Sequence, residues 1–160
     1  MKVKHELEPI YDENSKILIL GSIPSVKSRE LKFYYAHKTN RFWQILESLY
    51  QTKLITNEDK KNFLIQNNIA LWDVIKECDI EASADSKIKK VKCNNLNSII
   101  NKSQIKQIYV TGKVALKYYN EYLLKETKIK AIYLPSPSAA NASLKLNDLI
   151  KAYQVIKNSN

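Results

Sequence analysis

Apolar positions along the chain follow two alternating rhythms, brief unbroken runs and longer stretches with helical spacing. The runs around Ile17 to Gly21, Ala70 to Val74, Ile108 to Thr111 and Ala131 to Leu134 are short and followed by turn-forming residues, which predicts four strands. Between the first two, Arg41 to Gln51 carries Phe42, Trp43, Ile45, Leu46 and Leu49 on one stripe, and Asn57 to Gln66 opens after Thr56, a good capping residue. Lys113 to Lys125 repeats the helical pattern with Ala115, Leu116, Tyr119, Tyr122 and Leu123, and Asn147 to Lys157 predicts a last amphipathic helix. Strands alternating with helices predict an α/β fold, because parallel neighbours need a crossover and a helix usually supplies it. No repeat, low-complexity linker or proline-rich spacer interrupts the pattern, so residues 1–160 are expected to form a single domain, long enough to bury its own core.

The chain has two glycines, Gly21 and Gly112, and each closes a predicted strand, where a sharp turn is expected. Open α/β sheets bind ligands where their strands end. The first such turn reads Gly21-Ser22-Ile23-Pro24-Ser25, and Tyr34, Tyr35, His37 and Asn40 follow it. Tyrosine rings stack on a nucleobase, and an asparagine amide both donates and accepts hydrogen bonds. That mixture suits a base drawn out of a nucleic-acid stack. Each residue also has a plain structural reading: ten tyrosines leave ample room for core packing, and a lone histidine is more often structural than functional.

Charge changes the picture in one respect. Lys and Arg number 26 against 16 Asp and Glu, a formal charge of +10 that favours polyanionic partners. Abundant lysine, isoleucine and asparagine are also what an AT-rich coding bias produces, so the charge has a compositional explanation too. Lys89, Lys90 and Lys92, in the run Lys87 to Lys92, are suited to phosphates or to an ordinary solvated face. Cys78 and Cys93 lack CxxC spacing, which argues against a disulfide framework or a metal cluster and for reduced structural thiols. No apolar run approaches the length that crosses a bilayer and no secretory segment opens the chain, so a cytoplasmic, nucleoid-associated protein is expected, with no membrane partner.

Three segments taken together, Gly21 to Ser25, Tyr34 to Trp43 and Leu134-Pro135-Ser136-Pro137-Ser138-Ala139-Ala140-Asn141, resemble the uracil-DNA glycosylase superfamily in order and spacing. Leu71-Trp72-Asp73-Val74 and Ser83-Ala84-Asp85-Ser86 are similar to the middle segment of its hypoxanthine-DNA glycosylase branch, the sixth family. The resemblance implies a three-layer α/β/α fold with a central four-stranded parallel sheet. It also implies a monofunctional enzyme of base excision repair that flips deoxyinosine out of double-stranded DNA and hydrolyses its N-glycosidic bond, as a monomer without cofactor or metal.

Residue roles follow from the same resemblance. Ile23 stands where the mismatch-specific branch has a water-positioning asparagine, and an isoleucine cannot hydrogen-bond a water. The turn also lacks the aspartate of the efficient uracil enzymes. In the hypoxanthine branch the essential polar residue is the asparagine of Asn-Arg-Phe-Trp, here Asn40, which would either orient water or stabilise the departing base. Gly21, Ser22, Ile23, Pro24, Tyr35, His37, Asp73 and Asp85 would form the base pocket, with Tyr35 stacking on the base, Tyr34 as a wall, and Asp73 or Asp85 reading the base or holding a pocket amide. Either aspartate would serve equally well as a helix cap or in a structural salt bridge. Phe42 and Trp43 are expected to be buried, with Arg41 pairing a carboxylate or facing DNA. Pro135, Ser136, Pro137, Ser138, Ala139, Ala140 and Asn141 would enter the minor groove, although the usual histidine of that loop is missing and a helix-capping turn has the same composition. Uracil, xanthine or mismatched bases are alternative substrates. A non-catalytic DNA binder is the alternative that Ile23 favours, and the absence of GxGxxG and GxxxxGK[ST] argues against a nucleotide-binding enzyme.

Overall fold

The computed structural model describes residues 2–4, 6–80 and 88–158. Its centre is a parallel sheet of β2 (Ile17–Gly21), β3 (Ile69–Asp73), β6 (Gln107–Thr111) and β7 (Ala131–Leu134), in the order β3-β2-β6-β7. Every residue of β2 is buried, and the two-residue period of a strand sorts them between two cores. Ile17 and Ile19 point into one core with Ile69, Leu71 and Tyr109, whereas Leu18 and Leu20 enter the other with Ala70, Ile108 and Val110.

Helices α2 (Phe42–Tyr50), α3 (Asn57–Gln66) and α7 (Leu146–Asn158) cover the first face, through Phe42, Ile45, Leu46, Phe63, Leu64, Leu149, Tyr153 and Ile156. The second face is covered by the short helix α4 (Asn97–Ile100) and the segment Lys113–Thr127, together with three strands absent from the sequence pattern. The layers are therefore helix, sheet and helix, as expected, with a small antiparallel sheet added to one side.

That second sheet, β1 (Lys2–Lys4), β4 (Ile75–Ile80) and β5 (Ile88–Cys93) in the order β1-β4-β5, escapes the sequence pattern for a physical reason. Register shifts between Ile75 and Glu77, and again between Glu77 and Asp79, break the alternation that would reveal β4, and β5 reads as a lysine run. Lys90 lies at φ +56° in that irregular pairing. Lys92 and Lys2 reach Glu77 at 3.1 and 3.2 Å and Lys90 reaches Asp79 at 3.7 Å, so much of this basic run is matched across the sheet by carboxylates. Asp85 and its neighbours Ser83, Ala84, Ser86 and Lys87 lie outside the described residues.

The predicted helix from Lys113 to Lys125 is three pieces: α5 (Lys113–Tyr118), a π-helical turn (Tyr119–Leu123) and α6 (Leu124–Thr127). The buried residues Ala115, Tyr119 and Leu123 are spaced four apart, and in an α-helix that spacing drifts by roughly 80° over two intervals. The wider π turn keeps all three facing the sheet, while Tyr122, expected on the same stripe, is left exposed. Helix α1 (Val26–Leu31), also unforeseen, is capped by Ser25, whose hydroxyl accepts from Ser28 N–H. Both cysteines are free thiols, and burial first, then Glu126 and Glu121, pushes the Cys93 thiol up to about 11. Among the described residues no helix is long and apolar enough to cross a membrane.

Candidate active site

The carboxyl ends of β2, β3 and β6 and the loop after β7 open on one side of the sheet, and between them lies a cleft of about 380 Å³. Its lining brings together Gly21, Ser22, Ile23, Pro24, Tyr35, Asn40, Asp73, Ser136, Pro137 and Ser138, all singled out from the sequence. The volume lies within the range of small-ligand sites.

Gly21 and Asp73 face each other in register on β2 and β3. Gly112 turns with a φ of +89°, which favours glycine. Gly21 is needed for a different reason. A Cβ there would lie 2.5 Å from Asp73 Oδ1 and 3.1 Å from the Tyr35 hydroxyl, so the missing side chain is what admits a buried carboxylate and a phenol to the cleft. Asp73 is 3% exposed, and its carbonyl accepts from Asn94 Nδ2 at 2.9 Å.

Tyr35 lines the cleft with a backbone φ of +52°, a strained conformation for a bulky residue. One face of its ring stacks on Phe42 at 3.9 Å between centroids, and its hydroxyl bonds Thr111 Oγ1 at 3.1 Å. Burial, reinforced by the Asp73 charge, drives its hydroxyl well above the ordinary tyrosine value and keeps the phenol neutral. Tyr34 is pinned behind it: its hydroxyl donates to Glu8 O at 2.7 Å, its carbonyl accepts from Trp43 Nε1 at 3.0 Å, and burial likewise raises its pKa.

Asn40 precedes α2, and its Oδ1 accepts Phe42 N–H at 2.9 Å, which satisfies one of the orphan donors of the helix start. This bond fixes the orientation of the amide and leaves Nδ2 as the donor. Ile23, beside it in the lining, packs against the core as an apolar wall. His37 does not join the cleft. It is exposed, and its Nδ1 is engaged by Thr39 through the backbone N–H at 3.1 Å and the hydroxyl at 2.7 Å.

In the loop after β7, Ser136, Pro137 and Ser138 wall the cleft, while Pro135, Ala139, Ala140 and Asn141 lie outside the lining. Ala139 and Ala140 form an exposed tip. The serine hydroxyls accept Ser138 N–H and Ala140 N–H, each at 3.2 Å, which leaves their protons for an outside acceptor. Arg41 neither pairs a carboxylate nor faces outward as expected: its guanidinium bonds carbonyls of this loop, because the chain folds back so that α2 begins beneath it.

Sequence reasoning missed Thr111, Ser28 and Arg29, which also line the cleft. Thr111 had a signal, since it ends β6 immediately before Gly112. Ser28 is buried on the unforeseen α1, where its hydroxyl accepts Ala36 N–H at 3.1 Å and so shapes the turn leading to Tyr35. Among the described residues no His, Cys, Asp or Glu cluster is arranged to hold a metal ion.

Comparison with known proteins places the fold and the family. The model of the Uracil DNA glycosylase superfamily matches residues 8–157. A Methanosarcina barkeri protein named hypoxanthine DNA glycosylase is 34% identical over 141 residues, covering 86% of this chain and 88% of its own. A Methanosarcina acetivorans protein of the same name is 34% identical over 148 residues, covering 91% and 92%. The solution NMR structure of a candidate uracil DNA glycosylase from M. acetivorans superposes with a TM-score of 0.80 at 31% identity, over 98% of this chain and 99% of that one. With the family model matching residues 8–157 and two relatives 34% identical over most of both chains, the chain belongs to the uracil DNA glycosylase superfamily.

Proposed function

We propose that the protein is a DNA glycosylase that extrudes deoxyinosine from double-stranded DNA and hydrolyses its N-glycosidic bond, releasing hypoxanthine. The observation that carries this reading is the Asn40 carboxamide in the cleft that Tyr35 also lines, its oxygen held by Phe42 N–H and its Nδ2 left to donate. The names of the two Methanosarcina relatives point to the same substrate.

In the reaction the C1′–N9 bond breaks with its electron pair passing into the purine. Water then bonds to C1′, and its proton is taken up by the base or by solvent. Charge accumulates on the leaving base, so a fixed donor in a dry site is worth most there, and Asn40 Nδ2 is that donor. Tyr35 stacks on the base, a contact worth roughly 1–3 kcal/mol. Asp73, at the cleft floor beside Gly21, accepts from N1–H, a proton that hypoxanthine carries and adenine lacks. Among the described residues no lysine lines the cleft, and the proposed reaction uses water directly.

The test is a lesion panel of inosine, xanthosine and deoxyuridine duplexes with alkaline strand scission. Inosine is expected to be cleaved fastest; faster uracil release assigns the protein to another branch, and no release at all makes it a binding protein that kept the scaffold. Asn40→Ala is expected to lower single-turnover cleavage by roughly 10²–10³-fold with duplex affinity retained. Asn40→Asp keeps an acceptor for Phe42 N–H but loses the donor, so it is expected to be equally impaired. Substantial activity in Asn40→Asp would instead make the carboxamide oxygen, and hence water orientation, the catalytic element.

A further inference from the structure

At its start the loop that walls the cleft is tied by the Tyr153 hydroxyl, which donates to Pro135 O at 2.6 Å, and beyond Pro135 a single residue supplies the hydrogen bonds that, among the described residues, hold it to other segments. Residues 136–144 are knitted to one another: Asn141 Nδ2 donates to Ser136 O at 3.0 Å, Asn141 N–H to Ser138 O at 3.0 Å, and Leu144 N–H to Asn141 O at 3.4 Å. Every hydrogen bond that ties them to another segment, among the described residues, comes from Arg41. Its backbone N–H donates to Pro137 O at 3.0 Å and its Nε to the same oxygen at 3.3 Å. Nη2 reaches Ser138 O at 2.8 Å and Asn141 O at 3.1 Å, and Nη1 reaches Leu144 O at 2.6 Å.

Four carbonyls spread over eight residues therefore converge on one half-buried guanidinium, and only arginine has a planar fork of five donors to meet them. Arg41 directly follows Asn40 and precedes the first residue of α2. The loop and the carboxamide are thus fastened to the same rigid point, the start of a helix whose Phe42 is fully buried and stacked under Tyr35.

We propose that Arg41 is a positioning residue that locks the 136–144 loop in the shape needed to hold a nucleotide outside the duplex, and that registers this loop against Asn40. The inference rests on the glycosylase reading for its substrate, but not for the clamp itself. Arg41 does not line the cleft. It acts through the loop, so it governs the extrusion of a stacked base more than bond cleavage in a base already extruded. A lysine, with three donors at a single point, cannot span the four carbonyls.

The experiment uses Arg41→Lys and Arg41→Gln in the full chain. Amide hydrogen exchange is expected to accelerate at least tenfold in residues 136–144 while strand β2 is unchanged; an unaltered loop refutes the clamp whatever the enzyme does. Single-turnover cleavage of inosine in a matched duplex is expected to fall at least tenfold in Arg41→Lys, with a loss several-fold smaller for inosine in single-stranded DNA. 2-Aminopurine placed beside the lesion should lose its extrusion signal in parallel. Equal losses on both substrates, or none, overturn the positioning role. A parent protein that releases no hypoxanthine from either substrate overturns the glycosylase reading instead, and the exchange and 2-aminopurine measurements still decide the clamp.

Discussion

At the scale of single residues, the cleft depends on an atom that is missing. Because Asp73 Oδ1 lies where a Gly21 Cβ would be, Gly21→Ala must displace a short, buried carboxylate within the sheet and also press on the Tyr35 hydroxyl. Overpacking of this kind costs about 1–3 kcal/mol. The variant is expected to fold with a lowered melting temperature and to lose at least tenfold in kcat/KM on inosine duplex, because on the proposed function both displaced groups face the base. Unchanged kinetics would show that neither reads it. Tyr35 is held with similar economy: Phe42 beneath the ring and Thr111 at the hydroxyl keep a strained backbone in place, so the ring position is set before any base arrives.

At the scale of elements, the helices on one face of the sheet start with deliberate chemistry, and the starts differ in what they serve. α3 opens with a complete capping box, in which Thr56 Oγ1 accepts Asp59 N–H at 3.0 Å and Asp59 Oδ2 accepts Thr56 N–H at 3.1 Å. Neither residue lines the cleft. Thr56→Ala is therefore expected to cost about 1 kcal/mol, or roughly 2–4 °C in Tm, with cleavage of inosine unchanged. At the start of α2 the first helical N–H, that of Phe42, is held by Asn40 Oδ1 from just before the cap, so the bond that satisfies this donor also aims the candidate catalytic amide. Loss of activity in Thr56→Ala beyond what the melting curve explains would mean that the helix layer communicates with the site.

At the scale of the whole molecule, the 26 Lys and Arg behind a net charge of +10 are unevenly matched by carboxylates. Lys2, Lys90 and Lys92 are matched by Glu77 and Asp79 on the small sheet. By contrast, Arg29 lines both the cleft and a neighbouring groove that carries Lys4, Lys32 and Lys61 beside Glu6 and Glu8. On the proposed function, a phosphate backbone leading to the site is expected to follow this groove. Duplex affinity is expected to fall linearly in log salt by about 0.9 per phosphate neutralised, and Lys32→Gln with Lys61→Gln to flatten that slope by about 0.9 for each lysine that meets one. Titrations by fluorescence anisotropy between low and physiological salt measure it, and a slope untouched by both substitutions would move the DNA to another face.

The sequence alone determined the parts of this protein that depend on neighbours close in the chain. The four parallel strands, α2, α3 and α7 arise from local period and capping, Gly21 and Pro24 stand out because a turn must follow a strand, and Asn40 stands out through the resemblance of its segment to the hypoxanthine branch. Tertiary structure alone decided what depends on residues far apart. The small sheet hides behind bulges and lysines, and the π turn answers to the sheet it packs on rather than to its own sequence. The space at Gly21 is dictated by Asp73, Thr111 joins the site through Tyr35, and Arg41 finds its carbonyls about a hundred positions away. Chain order carries no record of such distances, because packing of side chains and the pairing of buried polar groups select them only once the layers have closed.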